Sequence, residues 1–213
     1  MPLEFRYFRA PETEMIGLLS DVRTCSLCGQ PGRCFSLNSV IGCGLTQEER
    51  QGKIGCVDCL KRDRFSFSHR TEAGYIGEDG LMAYDIEEEQ ERVFIVGGDG
   101  QTTTTGGYLV QPPQEQVSDE AVAELRRTPK FSTWQDLDWQ VHHSDFMAYL
   151  GIWEPEDFER LAEPGSGRNS YLKVVDPEWS NLWPEGEEPI FSDNIVMFEC
   201  LHCSKKVGIP DFD

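Results

Sequence analysis

The sequence lacks the signals that would direct a chain into or across a membrane. It contains no run of about 20 apolar residues, the length that a membrane-spanning helix needs. Its first residues, 1–6, do not show the basic and then apolar pattern of a secretory signal. We therefore expect a cytoplasmic protein without membrane contact. In a reducing cytosol, cysteines serve metal binding or redox chemistry rather than disulfides.

Basic residues are scarce relative to acidic ones. The chain of 213 residues carries 19 lysines and arginines against 38 aspartates and glutamates, a formal net charge of -19. Such a chain repels nucleic acid and anionic membranes and attracts cationic partners. We therefore expect no direct nucleic-acid binding and a basic protein partner, with solubility as the alternative explanation of the charge.

Common catalytic motifs are also missing. The threonine-rich segment 101–107 lacks the Gly-Lys-Ser/Thr ending of a phosphate loop, and no His-Glu-x-x-His sequence occurs. His142 with Asp138 or Asp145 has the helical spacing of an acid–base pair, although capping and core roles are commoner for such residues. We therefore expect a protein that is not an enzyme, and a metal-dependent hydrolase is the alternative.

Hydrophobic and aromatic residues, at 38% and 11%, are sufficient for a folded core. Capping residues and helix-stop signals predict helices over 46–51, from Ser118 to the stop at Thr128-Pro129, from about Thr133 to Leu150, and over 154–162. A strand is predicted over 194–199. The fold class predicted is α+β, a zinc-knuckle-containing mixed domain with a helical region in its second half. The predicted division is a Cys-x-x-Cys-containing region over 1–111 and a helical region with the C-terminal Cys-x-x-Cys over 112–213.

Three Cys-x-x-Cys pairs are the strongest chemical signal, because two intervening residues let a tight turn present both sulfurs to one ion. The pairs are Cys25/Cys28, Cys56/Cys59 and Cys200/Cys203. We expect the first two pairs to form one structural zinc site with four sulfur ligands. A thioredoxin-like redox couple lacks its strand-then-helix context here, and an iron–sulfur cluster needs more assumptions.

The third pair needs further ligands, and two arrangements are open. Cys200 and Cys203 either complete a second site or replace one of the earlier pairs. The candidate ligands are His142, His143, His202, Cys34 and Cys43. Adjacent residues of a helix point about 100° apart, so we do not expect His142 and His143 both to face one ion. His202 lies inside its own knuckle and is expected to point elsewhere.

Two acidic runs are candidate partner-binding segments. The first comprises Asp85, Glu87, Glu88, Glu89 and Glu91, and the second comprises Glu185, Glu187 and Glu188. Each run has the alternative interpretation of a solvated surface.

The motifs resemble those of the CbrC family of small bacterial proteins, which is linked by name to tolerance of a DNase colicin. The matching segments span nearly the whole chain in order: Phe5-Arg6-Tyr7-Phe8, Cys25-Ser26-Leu27-Cys28-Gly29, Cys56-Val57-Asp58-Cys59-Leu60, 127–135, Trp139 with His142, Asp145 and Leu150-Gly151, and 198–203 through Gly208 to 211–213. The resemblance implies a role in surviving a nuclease toxin.

Two positions depart from the family pattern. Val57-Asp58 stands where the family usually shows a tryptophan, and His142-His143 stands where it tends to show His-Cys. An exchange of Cys for His preserves a zinc ligand, so the resemblance favours His143 as a ligand together with Cys200 and Cys203.

Resemblance and charge together predict an immunity or antitoxin protein that binds and inhibits a bacterial nuclease toxin. In this interpretation the acidic surface meets a basic toxin surface and zinc is structural. The alternative is a zinc-stabilised stress or regulatory module with another partner, because a structural zinc site does not specify a function.

Overall fold

The fold is described from a computed structural model, which covers residues 3–77, 80–85, 92–96, 102–104, 117–135, 137–161, 166–183, 194–203 and 205–212. The strands are β1 (Leu18–Thr24), β2 (Pro31–Ser36), β3 (Ile54–Cys56), β4 (His69–Thr71), β5 (Gly74–Gly77), β6 (Gly80–Asp85), β7 (Arg92–Val96), β8 (Thr102–Thr104), β9 (Val141–His142), β10 (Asp145–Phe146), β11 (Ala148–Trp153), β12 (Asn194–Glu199) and β13 (Lys206–Asp211). The α-helices are α1 (Gln47–Arg50), α2 (Val57–Lys61), α3 (Asp119–Arg126), α4 (Pro155–Leu161) and α5 (Gly167–Tyr171), and three short 3-10 helices cover Glu12–Glu14, Leu37–Ser39 and Pro177–Leu182. Small antiparallel sheets with few helices confirm the predicted α+β class.

The sheets within the described segments are antiparallel, and each joins strands that are consecutive in chain order. Their orders are β1-β2-β3, β4-β5-β6-β7-β8, β9-β10 and β11-β12-β13. None of the helices in the described segments is long and apolar enough to cross a bilayer. The predicted division at residues 111 and 112 falls outside the described residues and stays a prediction.

The central strand β12 separates two apolar clusters. Val196 and Phe198 belong to the larger cluster, whereas Ile195 and Met197 belong to a smaller one around Phe158. Side chains of a strand alternate between faces, so β12 is buried on both. This explains why the chain has four consecutive apolar residues here instead of an alternating pattern.

Aromatic rings fill the larger cluster next to β11 and β12. Phe131 stacks on Tyr149 with ring centroids 4.1 Å apart, and Trp139 lies 5.1 Å from Phe131 and 6.1 Å from Phe198. The indole of Trp139 donates its N–H to the Met147 carbonyl at 2.7 Å. The rings thus bury a large apolar area next to β11 and β12, and the one polar atom of the indole has its hydrogen-bond partner.

His69 is a core histidine, not a metal ligand. Its side chain is buried, and Nε2 lies 3.0 Å from the Thr128 carbonyl oxygen, so this nitrogen donates. Burial, followed by the positive charge of Lys130, lowers the pKa of His69 to about 3. The imidazole is therefore neutral at pH 7 and serves packing.

Three of the four helices predicted from local signals are confirmed. α1, α3 and α4 occupy the expected positions, and the Ser118 hydroxyl accepts the Ala121 N–H at 3.1 Å as the N-cap of α3. Thr46 and Glu49 form a reciprocal capping box at α1. Each of these interactions joins residues three positions apart, so it is encoded in the local sequence.

The helix predicted from Thr133 to Leu150 is wrong. The segment instead contains β9, β10 and the start of β11. Trp134, which lies within the span predicted as that helix, is 70% exposed. The backbone N–H of Trp139 donates to the carbonyl of Arg70, and that of Tyr149 donates to the carbonyl of Tyr7. Residues distant in sequence therefore satisfy the backbone groups that a helix would pair locally.

Gly55 offers a test of the packing around β3. A Cβ at this position would lie 2.5 Å from Phe65 Cε1 and 2.9 Å from Leu37 Cδ2, both on buried rigid side chains. We expect Gly55→Ala to lower the free energy of unfolding by about 3 kcal/mol, as measured by urea denaturation at saturating metal.

Gly44→Ala is the control. Gly44 has φ +64 with no neighbour near the added Cβ, so only the left-handed backbone opposes alanine, by about 1 kcal/mol. Equal losses in the two variants would contradict the packing described for Gly55.

Candidate metal centres

The first candidate centre lies between two turns that β1, β2 and β3 bring together. The Cys25–Cys28 knuckle connects β1 to β2, and the Gly29 N–H donates to the Cys25 carbonyl at 2.9 Å. Gly29 has φ +72, a conformation that glycine adopts without strain. Cys56 is the last residue of β3, and Cys59 lies in the first turn of α2, so the expectation that no pair has a strand-then-helix context is wrong for Cys56 and Cys59.

The four sulfurs have the spacing of a tetrahedral metal site. Their Sγ atoms lie within 4.8 Å of one another, with Cys25 to Cys59 at 3.7 Å and Cys28 to Cys56 at 3.6 Å. Metal–sulfur bonds of about 2.3 Å place tetrahedral sulfurs about 3.8 Å apart. The residues therefore fit one metal ion, and we call this group the four-cysteine centre.

Backbone amides prepare Cys25 to act as a thiolate. The N–H groups of Leu27 and Cys56 donate to its sulfur at 3.3 and 3.2 Å. Burial opposes ionisation, but the amide hydrogen bonds outweigh it and lower the pKa of Cys25 to about 6. Burial raises the pKa of Cys59, and hydrogen bonding to the neighbouring cysteines adds to the rise. Four sulfurs at this spacing can ionise together only beside a cation.

The second candidate centre combines the β9–β10 turn with the C-terminal knuckle. The ligand atoms of His142, His143, Cys200 and Cys203 all lie within 4.8 Å of one another. Cys200 Sγ is 3.6 Å from His143 Nδ1, and Cys203 Sγ is 3.7 Å from His142 Nδ1. Tetrahedral zinc–sulfur and zinc–nitrogen bonds give a separation of about 3.6 Å. This group, the histidine–cysteine centre, also fits one metal ion.

The expectation that His142 and His143 cannot both face one ion is wrong, because it assumed a helix. His142 ends β9, and His143 and Ser144 form a two-residue turn with φ values of +57 and +55. Such turns favour Asn-Gly, since each left-handed residue with a Cβ is strained by about 1 kcal/mol or more. The turn brings the two imidazole centroids to 4.2 Å from each other.

Ionisation of Cys200 also depends on hydrogen bonds. Burial opposes it, but the amides of His202 and Cys203 and the side chain of His143 outweigh this effect and lower the pKa of Cys200 to about 7. The His202 N–H lies 3.4 Å from the sulfur. The knuckle thus supports its thiolate as the Cys25 knuckle does.

Asp145 links the histidine–cysteine centre to the N-terminal segment. Its buried carboxylate accepts hydrogen bonds from Arg6 at 2.5 Å, Tyr7 at 2.6 Å and the Phe146 N–H at 2.9 Å. His202 Nε2 lies 2.9 Å from Asp145 Oδ2, so this nitrogen donates to the carboxylate. The predicted orientation of His202, away from the metal ligands of its own knuckle, agrees with this contact.

The other two cysteines belong to neither group of candidate ligands. Cys34 is buried, and its thiol donates to backbone carbonyls of Gly32 and Arg23. Burial, followed by the nearby Cys25, raises the pKa of Cys34 to about 11, and Cys43 belongs to neither group. Asp85 ends β6, whereas Glu87, Glu88, Glu89 and Glu91, like the second acidic run at 185–188, lie outside the described residues.

Two site residues were not assigned from the sequence. His142 was only a candidate ligand, because its position depends on a left-handed turn that His-Ser does not signal. Asp145 was named as a partner of His142 and as part of the family pattern, but not as a contact of Arg6 and His202, which lie 139 and 57 residues away along the chain. The local sequence carries no signal for contacts at these separations.

The two histidine ligands give a test of the histidine–cysteine centre. We expect the purified chain to bind two metal ions, and His142→Ala and His143→Ala each to reduce the count to about one after dialysis against a chelator, because loss of one of four ligands lowers the affinity of the site for its ion. Elemental analysis after dialysis measures the count.

His202→Ala is the matched control, since Nε2 of His202 contacts Asp145 and not a ligand sulfur. It should keep two ions. If both ligand variants also kept two ions, the assignment of His142 and His143 would be wrong.

No curated protein and no solved structure matches this chain significantly. A family model does match it, over residues 3–212, and its description is an uncharacterised protein family, UPF0167. Since the match covers nearly the whole sequence, including every ligand of both centres, the chain belongs to the UPF0167 family.

Proposed function

We propose that the protein is a binding protein that holds two structural zinc ions and neutralises a bacterial nuclease toxin. The observation that carries the metal part is the sulfur–sulfur and sulfur–nitrogen spacing of 3.6–3.7 Å in both centres. Cysteine and histidine donors in tetrahedral sets of four are typical of structural zinc. With four protein ligands, neither site keeps an open position for a substrate, which favours binding over catalysis.

The distribution of charge supports a basic partner. The whole chain carries 38 acidic and 19 basic residues, a formal net charge of -19. The two acidic runs, 85–91 and 185–188, hold eight acidic residues and no basic one. Runs of one sign of charge are effective at steering a cationic protein.

Nuclease toxins fit this description of the partner. Proteins that act on DNA carry basic surfaces for the phosphates, and an acidic inhibitor can pair with such a surface. The resemblance to the CbrC family, with its link to tolerance of a DNase colicin, supports the same class of partner. In this proposal the zinc centres hold the scaffold and the acidic segments meet the toxin.

Inhibition of a purified toxin tests the proposal directly. We expect the zinc-loaded protein, at equimolar concentration, to block plasmid cleavage by the nuclease domain of a DNase colicin, because an immunity protein binds its toxin stoichiometrically. Gel analysis of the plasmid measures cleavage, and a non-toxin DNase serves as the control. Full cleavage by a panel of such domains at excess protein would exclude the toxin proposal and leave the zinc centres unaffected.

The role of the first acidic run has a separate test. We expect Glu88→Lys with Glu89→Lys to slow association with the toxin about tenfold at low salt and to flatten its salt dependence, because electrostatic steering is lost. Stopped-flow fluorescence measures the rate.

Glu4→Lys with Glu156→Lys changes the net charge equally at two exposed described positions and should leave most of the steering intact. An equal effect of the two double variants would mean that total charge, and not this run, sets the rate.

A further inference from the structure

The two centres differ in how far their sulfurs are exposed to solvent. In the four-cysteine centre three of the four cysteines are buried, none of them more than 3% exposed, and Cys28 is half-buried. In the histidine–cysteine centre Cys203 and His143 are exposed, whereas Cys200 is only 2% exposed. A small dissolved oxidant can therefore reach a sulfur ligand of the second centre more easily than those of the first.

We propose that Cys200 and Cys203 are a peroxide-oxidised pair, whose conversion to a disulfide releases the metal of the histidine–cysteine centre while the four-cysteine centre keeps its own. The inference rests on the proposed function only in requiring that both centres hold zinc. The exposed Cys203 is the residue that reacts first with peroxide, and the buried Cys200 then completes the disulfide. This is the arrangement of an accessible thiolate beside a resolving cysteine.

The reaction balances with hydrogen peroxide as the oxidant. The Cys203 thiolate attacks one peroxide oxygen, so that an S–O bond forms, the O–O bond breaks and hydroxide leaves. The Cys200 thiolate then attacks that sulfur, so that the S–S bond forms, the S–O bond breaks and a second hydroxide leaves. The two sulfurs lose two electrons, the peroxide gains two, and two protons convert the hydroxides to water.

The geometry links this oxidation to loss of the metal. Both sulfurs come from one knuckle and lie in one group of ligand atoms within 4.8 Å, so they are close enough to join after a small movement. A disulfide has no thiolate to offer, so the ion would retain only His142 and His143. Two imidazoles do not complete a tetrahedral zinc site.

The β9–β10 turn favours release once the sulfurs have left. His143 and Ser144 both have left-handed backbones, and strain of this kind persists only where the surroundings impose it. While the ion binds both imidazoles it holds the turn. Without the ion, the turn can relax and carry the two histidines apart, which opposes rebinding.

Zinc release under peroxide tests the proposal. The full chain, loaded with zinc and freed of excess metal, is treated with hydrogen peroxide in the presence of a chromogenic zinc chelator. We expect one equivalent of zinc to appear at least about tenfold faster than the second. Peptide mass mapping without reductant should place the first disulfide between Cys200 and Cys203.

Two variants separate this chemistry from general damage. Cys203→His keeps a metal ligand but cannot form the disulfide, so its zinc should resist peroxide. Cys43→Ser removes a cysteine that belongs to neither centre and should release zinc as the unsubstituted chain does. If Cys203→His fails to fold, the position of the first disulfide in the unsubstituted chain still tests the inference, which requires that this disulfide join Cys200 and Cys203.

Release of both zinc ions at one rate, or a first disulfide within Cys25, Cys28, Cys56 and Cys59, would overturn the inference. A chain that holds two zinc ions and loses neither to peroxide would overturn it as well, but would leave the proposed function standing. A chain that holds no zinc before peroxide is added would overturn the proposed metal role and this inference together.

Discussion

Repulsion among closely spaced sulfurs is the constraint on which the N-terminal part of this protein depends. The sulfurs of the four-cysteine centre all lie within reach of one ion. Thiolates at that distance repel one another unless a cation lies between them. The outer strand of the hairpin that carries the first knuckle gains little from apolar burial, because residues 20–24 are all exposed. A metal ion bound at the knuckle would supply folding energy that this strand does not obtain from burial.

Both centres contribute residues to one apolar cluster. Cys25, Cys56 and Cys59 of the first centre and Cys200 of the second are members of it. The cluster also includes the rings of Phe35, Phe67, Trp139 and Tyr149. Interiors packed at this density adjust in discrete ways and do not deform smoothly, so the order of each knuckle depends on the order of the shared core.

The sequence predicted the parts of this arrangement that are encoded within a few residues. Each Cys-x-x-Cys pair encodes its own turn, and Ser118 with Ala121 encodes the start of α3. The segment after Thr133 was misassigned because its apolar spacing suits a helix as well as a strand. The deciding contacts, Tyr149 with Phe198 and Trp139 with Arg70, lie about 50 to 70 residues away, and no local rule contains them. The convergence of His142 and His143 was missed for the same reason.

The order of the ligands along the chain has a consequence for protein synthesis. All four sulfurs of the four-cysteine centre have been made once Cys59 leaves the ribosome, whereas the histidine–cysteine centre and the outer strand β13 require residues from Cys200 onward. At elongation rates of about 5 to 20 residues per second, the interval between Cys59 and Cys203 lasts roughly 7 to 30 s. Arg6 and Tyr7, which contact Asp145, are synthesised early, and Asp145 becomes available to them only after more than half of that interval. One metal ion can therefore bind during translation, while the other can bind only when synthesis of its knuckle ends.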